Sequence, residues 1–128
     1  MNQLLRLAAV IEGITGLVLM ADAPLFLKLL LGDGTDERAA AIGRLAGIAL
    51  MALALACWPA SGAADSAAAP VRAMFIYNLA VTVYLGLLRF SGQATGRLLW
   101  LAVVVHAVFT ILFVRSWINA PLARQTKG

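Results

Sequence analysis

The chain has 128 residues, of which 62% are hydrophobic and 12% charged, against roughly 45–50% and 25% in soluble domains. A water-soluble domain of this size buries only about two thirds of its surface and would be left with a large exposed greasy patch. The composition therefore excludes that class, and disorder with it; the chain reads as a membrane protein. A net charge of +4 does not imply nucleic acid. Its Lys and Arg residues stand singly at the edges of apolar segments, where they can snorkel to headgroups, and no basic run tracks a phosphate backbone. Cys57 is the only cysteine, which rules out intrachain disulfides and cysteine-rich metal or iron–sulfur sites.

The first apolar run extends from Leu4 to Ala21, bounded by Arg6 and Asp22 and interrupted by Glu12. It is read as a retained helix rather than a cleavable signal peptide, because it carries a carboxylate and is followed by Pro24. Pro24 to Leu31 is too short to span and too apolar for an ordinary loop. It predicts a short interfacial helix with Pro24 in its first turn, Gly32 at its end and Lys28 reaching headgroups. The acids of Gly32-Asp33-Gly34-Thr35-Asp36-Glu37 do not follow the twelve-residue calcium-loop pattern. They suit the start of the second helix, with Thr35 as N-cap and Asp36 and Glu37 at the positive end of its dipole.

Three later stretches carry no charge: Leu45 to Ala64, Ala73 to Leu88 and Leu98 to Val114. A spanning helix needs about 20 residues, which the two shorter stretches reach with the arginines that flank them. The spans are thus expected at about 4–21, 38–58, 72–89 and 97–117, with a loop from Ala60 to Pro70 and a short turn from Phe90 to Gly96. The fold class is all-α: a single-domain, integral-membrane four-helix bundle running up-down-up-down, with helices 3 and 4 as an antiparallel hairpin. Trp58, Trp100 and Trp117 fall near span ends, where indoles prefer to sit.

Sidedness is poorly encoded. Arg6, Arg72, Arg115, Arg124 and Lys127 lie on the side of the termini, and Lys28, Arg38, Arg44, Arg89 and Arg97 on the other. The basic tail and the acidic first loop favour cytoplasmic termini in a bacterial inner membrane.

Glu12 is the strongest candidate site residue. An acid at a span centre costs about 2.5–3.5 kcal/mol on insertion scales and commonly marks function. It must be neutralised there or held by a cationic or hydrogen-bonding neighbour. Ala8, Glu12 and Gly16 share one stripe flanked by Ala9 and Gly13, and small residues permit close helix contact, so Glu12 is expected to face the bundle. Helix 2 has a matching stripe, Ala39, Gly43 and Gly47, which serves either packing within one bundle or a dimer seam. His106 lies midway between Arg97 and Arg115, at nearly the depth of Glu12. A midplane His–Glu pair could exchange a proton near neutral pH. Helix 3 contributes Tyr77, Asn78, Thr82 and Tyr84, with both tyrosines on one face. Arg44 either balances Glu12 or snorkels at the boundary, the second being preferred.

The ligand or proton site is therefore read as Glu12, His106, Asn78, Tyr77 and Arg44, with Gly13, Gly16, Gly43 and Gly47 as packing residues. No catalytic residue and no metal site are assigned, because no catalytic triad, HExxH, phosphate loop or carboxylate pair is present. No cofactor is predicted. As a haem ligand His106 would need a partner, and because it is the only histidine bis-histidine ligation is possible only across a homodimer; quinone is the other redox alternative. The expected partners are membrane lipids, a second copy of the chain or a larger membrane complex.

Glu12-Gly13-x-x-Gly16-Leu17, Leu29-Leu30-Leu31-Gly32, Gly43-Arg44-x-x-Gly47, Ala56-Cys57-Trp58-Pro59, Tyr77-Asn78-Leu79 and His106-Ala107 together resemble small four-helix bacterial membrane proteins near the DoxX-like group. That resemblance covers most of the chain. It implies an inner-membrane bundle of a kind linked to quinone or thiol redox complexes, and carries over no catalytic residue. Glu12, Gly16, Leu19 and Met20 are also similar in spacing to the first helix of small multidrug resistance transporters. Helices 2 to 4 and the long apolar first loop depart from that family, so this second likeness implies only a proton-coupled Glu12 and dual topology. The reading that follows is a binding or accessory membrane subunit with a buried polar site for a lipid-like or small hydrophobic ligand. Its alternatives are a proton-coupled transporter and a redox or isomerase subunit.

Overall fold

A computed structural model describes residues 1–34, 36–59 and 68–119. The chain is helical throughout its four elements: α1 (Asn2–Leu31), α2 (Glu37–Ala56), α3 (Ala68–Phe90) and α4 (Leu99–Asn119). Each is long and apolar enough to cross a membrane, as expected of a multi-pass membrane protein. Large apolar side chains cover the outer faces, among them Leu7, Ile42, Ile76 and Leu101.

Helix α1 is two helical pieces joined at Asp22, whose backbone (φ −145°, ψ 72°) leaves the helical region. Pro24 cannot donate a backbone bond. The break is stabilised by Asp22 itself, whose Oδ1 accepts from the Leu25 N–H at 3.1 Å, the standard way an N-cap satisfies a free donor. The second piece, 23–31, ends at Gly32, whose φ of 104° suits a residue without Cβ. Residues 2–21 and 23–31 thus correspond to the first span and the short following helix read from the sequence.

The N-cap of α2 is Asp36 and not Thr35, which lies outside the described residues; Asp36 Oδ1 accepts from the Ala39 N–H at 2.8 Å. Asp36→Ala is expected to cost about 1 kcal/mol, seen as a small drop in melting temperature, whereas Asp36→Ser should restore most of it. Helix α3 starts at Ala68, so the last part of the expected 60–70 loop, including Pro70, is helical. Residues 60–67 of that loop lie outside the described residues. Trp58 follows α2, and Trp100 and Trp117 lie in the first and last turns of α4, each about half exposed.

Neighbouring helices run in alternate directions. Gly16 lies against Gly47 while the earlier Gly13 faces the later Ala54, and Phe75 meets Trp117 while Phe90 meets Trp100. The arrangement is less closed than a square bundle. α1 packs closely on α2, α3 packs on α4, and α1 is the main link between the two pairs. α2 meets α3 chiefly at one end, where Ala54 and Cys57 join Val71 and Met74 and the Cys57 thiol approaches the Pro70 carbonyl at 3.8 Å. The α1 stripe Leu5, Ala8, Ala9, Glu12, Gly16, Leu19 and Ala23 is buried, as helical periodicity requires of a central helix.

The α1–α2 contact explains the glycine pattern. A Cβ on Gly16 would stand 2.7 Å from the Gly47 carbonyl oxygen, and a Cβ on Gly47 would stand 2.7 Å from that of Gly16. The Gly43–Gly47 stripe therefore faces α1 of the same chain and is not an open dimer seam.

Candidate functional site

Glu12 sits ten residues from the start of α1 and ten from the break at Asp22, about 15 Å from each at 1.5 Å per residue, and is only 2% exposed. Two helices of the other pair supply its partners. The Tyr77 hydroxyl of α3 donates to Glu12 Oε2 at 3.0 Å, and His106 Nε2 of α4 lies 3.6 Å from Oε1. The phenol and imidazole rings meet edge to face, with centroids 5.9 Å apart. One acid, one phenol and one imidazole from three helices thus converge at the midpoint of the fold.

The imidazole is oriented from behind. His106 Nδ1 lies 2.7 Å from the Ala102 carbonyl oxygen, which can only accept, so Nδ1 carries a proton and Nε2 is the nitrogen turned to the carboxylate. With Nε2 bare and Glu12 ionised, two lone pairs would oppose each other. A proton on either Nε2 or Oε1 relieves that conflict, giving imidazolium beside carboxylate or imidazole beside carboxylic acid; at 3.6 Å the two atoms stand just beyond hydrogen-bond distance. Tyr77 adds a charge-assisted hydrogen bond to the ionised form.

The nearby polar side chains serve their own helices. Thr15, Thr82 and Thr110 donate to the carbonyls of Ile11, Asn78 and His106 at 2.8–2.9 Å, and Asn78 Nδ2 donates to Met74 at 2.8 Å, each four residues back along its helix. Such back-bonding satisfies hydroxyls and amides where no water is present. Asn78 is fully buried, and its Oδ1 has no hydrogen-bond partner among the described residues.

The candidate residues divide accordingly. Glu12, Tyr77 and His106 come together; Asn78 lies next to Tyr77 in sequence but bonds within α3. Tyr84 does not share the site of Tyr77: it is 62% exposed. Arg44 is exposed and pairs with no carboxylate among the described residues, because Gly43 and Gly47 occupy the α1-facing side of α2 and Arg44 is rotated about 100° from Gly43. The acids of the first loop are used locally: Asp33 pairs with Lys28 at 2.9 Å, and Asp36 caps α2. Sequence reasoning missed the Ala102 carbonyl that fixes the imidazole, a backbone group that carries no residue-type signal.

The chain shows no significant match to any protein-family model, to any curated protein or to any solved structure.

Proposed function

We propose that this chain is an inner-membrane binding or accessory subunit with cytoplasmic termini, in which Glu12, Tyr77 and His106 form a mid-span polar site for a lipid-like or small hydrophobic ligand. The observation that carries this reading is the convergence of three hydrogen-bonding side chains from three helices on one buried point. Well-packed apolar residues would join these helices as well or better than a buried ionisable pair, so intramembrane acids are functional candidates by default. His106 is 14% exposed at its side chain and Tyr77 is half-buried, so the imidazole–phenol edge, unlike Glu12, keeps partial contact with the outside of the bundle. Such a ligand would present one polar group to that edge and its apolar body to the surrounding helices.

Native mass spectrometry of the purified chain with its co-purified lipids tests this. A bound molecule of defined mass is expected on wild type, with at least tenfold lower occupancy in Tyr77→Phe and Glu12→Gln. Equal occupancy in all three would eliminate the site as a ligand site.

A second reading, proton coupling, is favoured by the approach of His106 Nε2 to within 3.6 Å of Glu12 Oε1. With tetraphenylphosphonium as a lipophilic-cation probe, it expects proton release from wild type in weakly buffered detergent and none from Glu12→Gln. An identical signal from both proteins removes it.

A further inference from the structure

The end of α1 and the α3–α4 loop build a second polar feature, remote from Glu12. The Thr95 N–H donates to the Leu31 carbonyl and the Leu98 N–H to the Leu29 carbonyl, both at 2.9 Å. Two carbonyls left free where the helix ends are thereby satisfied by the neighbouring loop. Gly96 makes this approach feasible, since a Cβ there would collide with the Leu30 backbone and the Leu29 carbonyl. A cleft of about 390 Å³ opens along this seam, lined by Lys28, Gly32, Asp33, Thr95, Gly96 and Arg97. The two main-chain hydrogen bonds hold the α1 end and the loop together along this seam.

The charges in the cleft are arranged for an anion. Lys28 and Arg97 line it together with the exposed Thr95 hydroxyl. Arg97 has no carboxylate partner among the described residues. Lys28 pairs with Asp33, but both side chains are more than half exposed, and an exposed pair of that kind is worth little and is readily exchanged for a stronger acceptor. Guanidinium and ammonium groups beside a hydroxyl suit the oxygens of a phosphate, and the volume falls in the range of small-ligand sites. The location narrows the source. Lys28 interrupts the apolar run 25–31 and Arg97 stands two residues before the apolar α4. At the same end Arg89 lies 5.8 Å over the Trp100 ring, a pairing of cation and indole typical of the membrane–water boundary.

We propose that the Lys28–Arg97 cleft binds a phosphate group, supplied by an anionic lipid headgroup at the membrane boundary. Asp33 is the gate of this site: it holds Lys28 when no phosphate is present and is displaced when one enters.

The test compares retention of phosphatidylglycerol and phosphatidylcholine by the purified full chain in native mass spectrometry, with inorganic phosphate tested separately by its effect on melting temperature. Wild type is expected to retain phosphatidylglycerol at least tenfold better than phosphatidylcholine, and K28Q/R97Q to lose that preference while its helical circular dichroism is unchanged. Absence of preference in wild type together with no stabilisation by inorganic phosphate, or an undiminished preference in K28Q/R97Q, overturns the proposal. Should K28Q/R97Q fold poorly, D33N decides: removal of the competing carboxylate should raise phosphatidylglycerol retention at least threefold, and no rise refutes the site. Stabilisation by inorganic phosphate that K28Q/R97Q abolishes, without lipid preference, would uphold the phosphate site and overturn its lipid source. Neither Lys28 nor Arg97 approaches Glu12, so these results are independent of the mid-span site.

Discussion

Gly47→Val is expected to abolish the folded protein, and Gly47→Ala to lower its melting temperature by several degrees in detergent. The cause is backbone against backbone. A Cβ at position 47 would lie 2.7 Å from the Gly16 carbonyl oxygen and 3.0 Å from Leu19 Cβ, and neither atom belongs to the flexible end of a side chain. The helices must then separate, and α1 is also the element that connects α2 to the α3–α4 pair. Overpacking of a tight contact costs about 1–3 kcal/mol, and a clash of 2.7 Å with a backbone oxygen belongs at the upper end, which the gain in helix propensity of about 1 kcal/mol from Gly to Ala offsets only in part.

Two glycines serve as internal controls for the same substitution. At Gly13 an added Cβ would sit 3.7 Å from Ala54 Cβ, an ordinary contact, and at Gly86 it would meet nothing within 4 Å. Gly13→Ala and Gly86→Ala are therefore expected to be neutral or stabilising by up to about 1 kcal/mol. Thermal unfolding of the three alanine variants separates steric from propensity effects. If Gly47→Ala melts with wild type while Gly13→Ala does not, the described α1–α2 contact is incorrect.

These glycines also show what a sequence can encode about such a fold. Small residues at four-residue spacing on two apolar helices signal a close crossing, and Gly16 with Gly43 and Gly47 forms one. The burial of Glu12 follows from the same stripe, because the small residues flanking an acid on an apolar helix define the side that packs. The partners of Glu12 are less legible. Tyr77 and Tyr84 are seven residues apart and share a face by helical geometry, yet only Tyr77 reaches the carboxylate; depth along the helix separates them, and periodicity carries no depth. Arg44 illustrates the converse. The sequence allows it to balance Glu12, but the register that sets Gly47 against Gly16 and Gly43 against Ala23 leaves it well away from Glu12 in depth, and its angle turns it outward as well. The docking of the 23–31 helix on the loop after α3 has almost no sequence signature. It is carried by main-chain hydrogen bonds and by Gly96, which in the sequence reads as an ordinary turn residue.

The Glu12–Tyr77–His106 cluster provides the other large effect. His106→Ala is expected to destabilise by about 3–5 kcal/mol, the usual consequence of leaving one member of a buried pair without its partner, because Glu12 would remain 2% exposed with only the Tyr77 hydroxyl to hold it. Tyr77→Phe should cost less, about 1.5–3 kcal/mol for one hydrogen bond to a charged group. Glu12→Gln should cost least, since a neutral amide can still accept from Tyr77 and can donate to His106 Nε2. The ordering turns on a double-mutant cycle: in the Glu12→Gln background, His106→Ala should be milder by at least about 1.5 kcal/mol, within the 0.5–3 kcal/mol typical of directly interacting residues. A coupling of this sign means that the penalty in His106→Ala comes from the stranded carboxylate rather than from the space vacated by the imidazole. Strict additivity would instead assign the whole loss to packing and leave Glu12 without an energetic partner in α4. That outcome would also remove the basis for proton coupling between these two side chains.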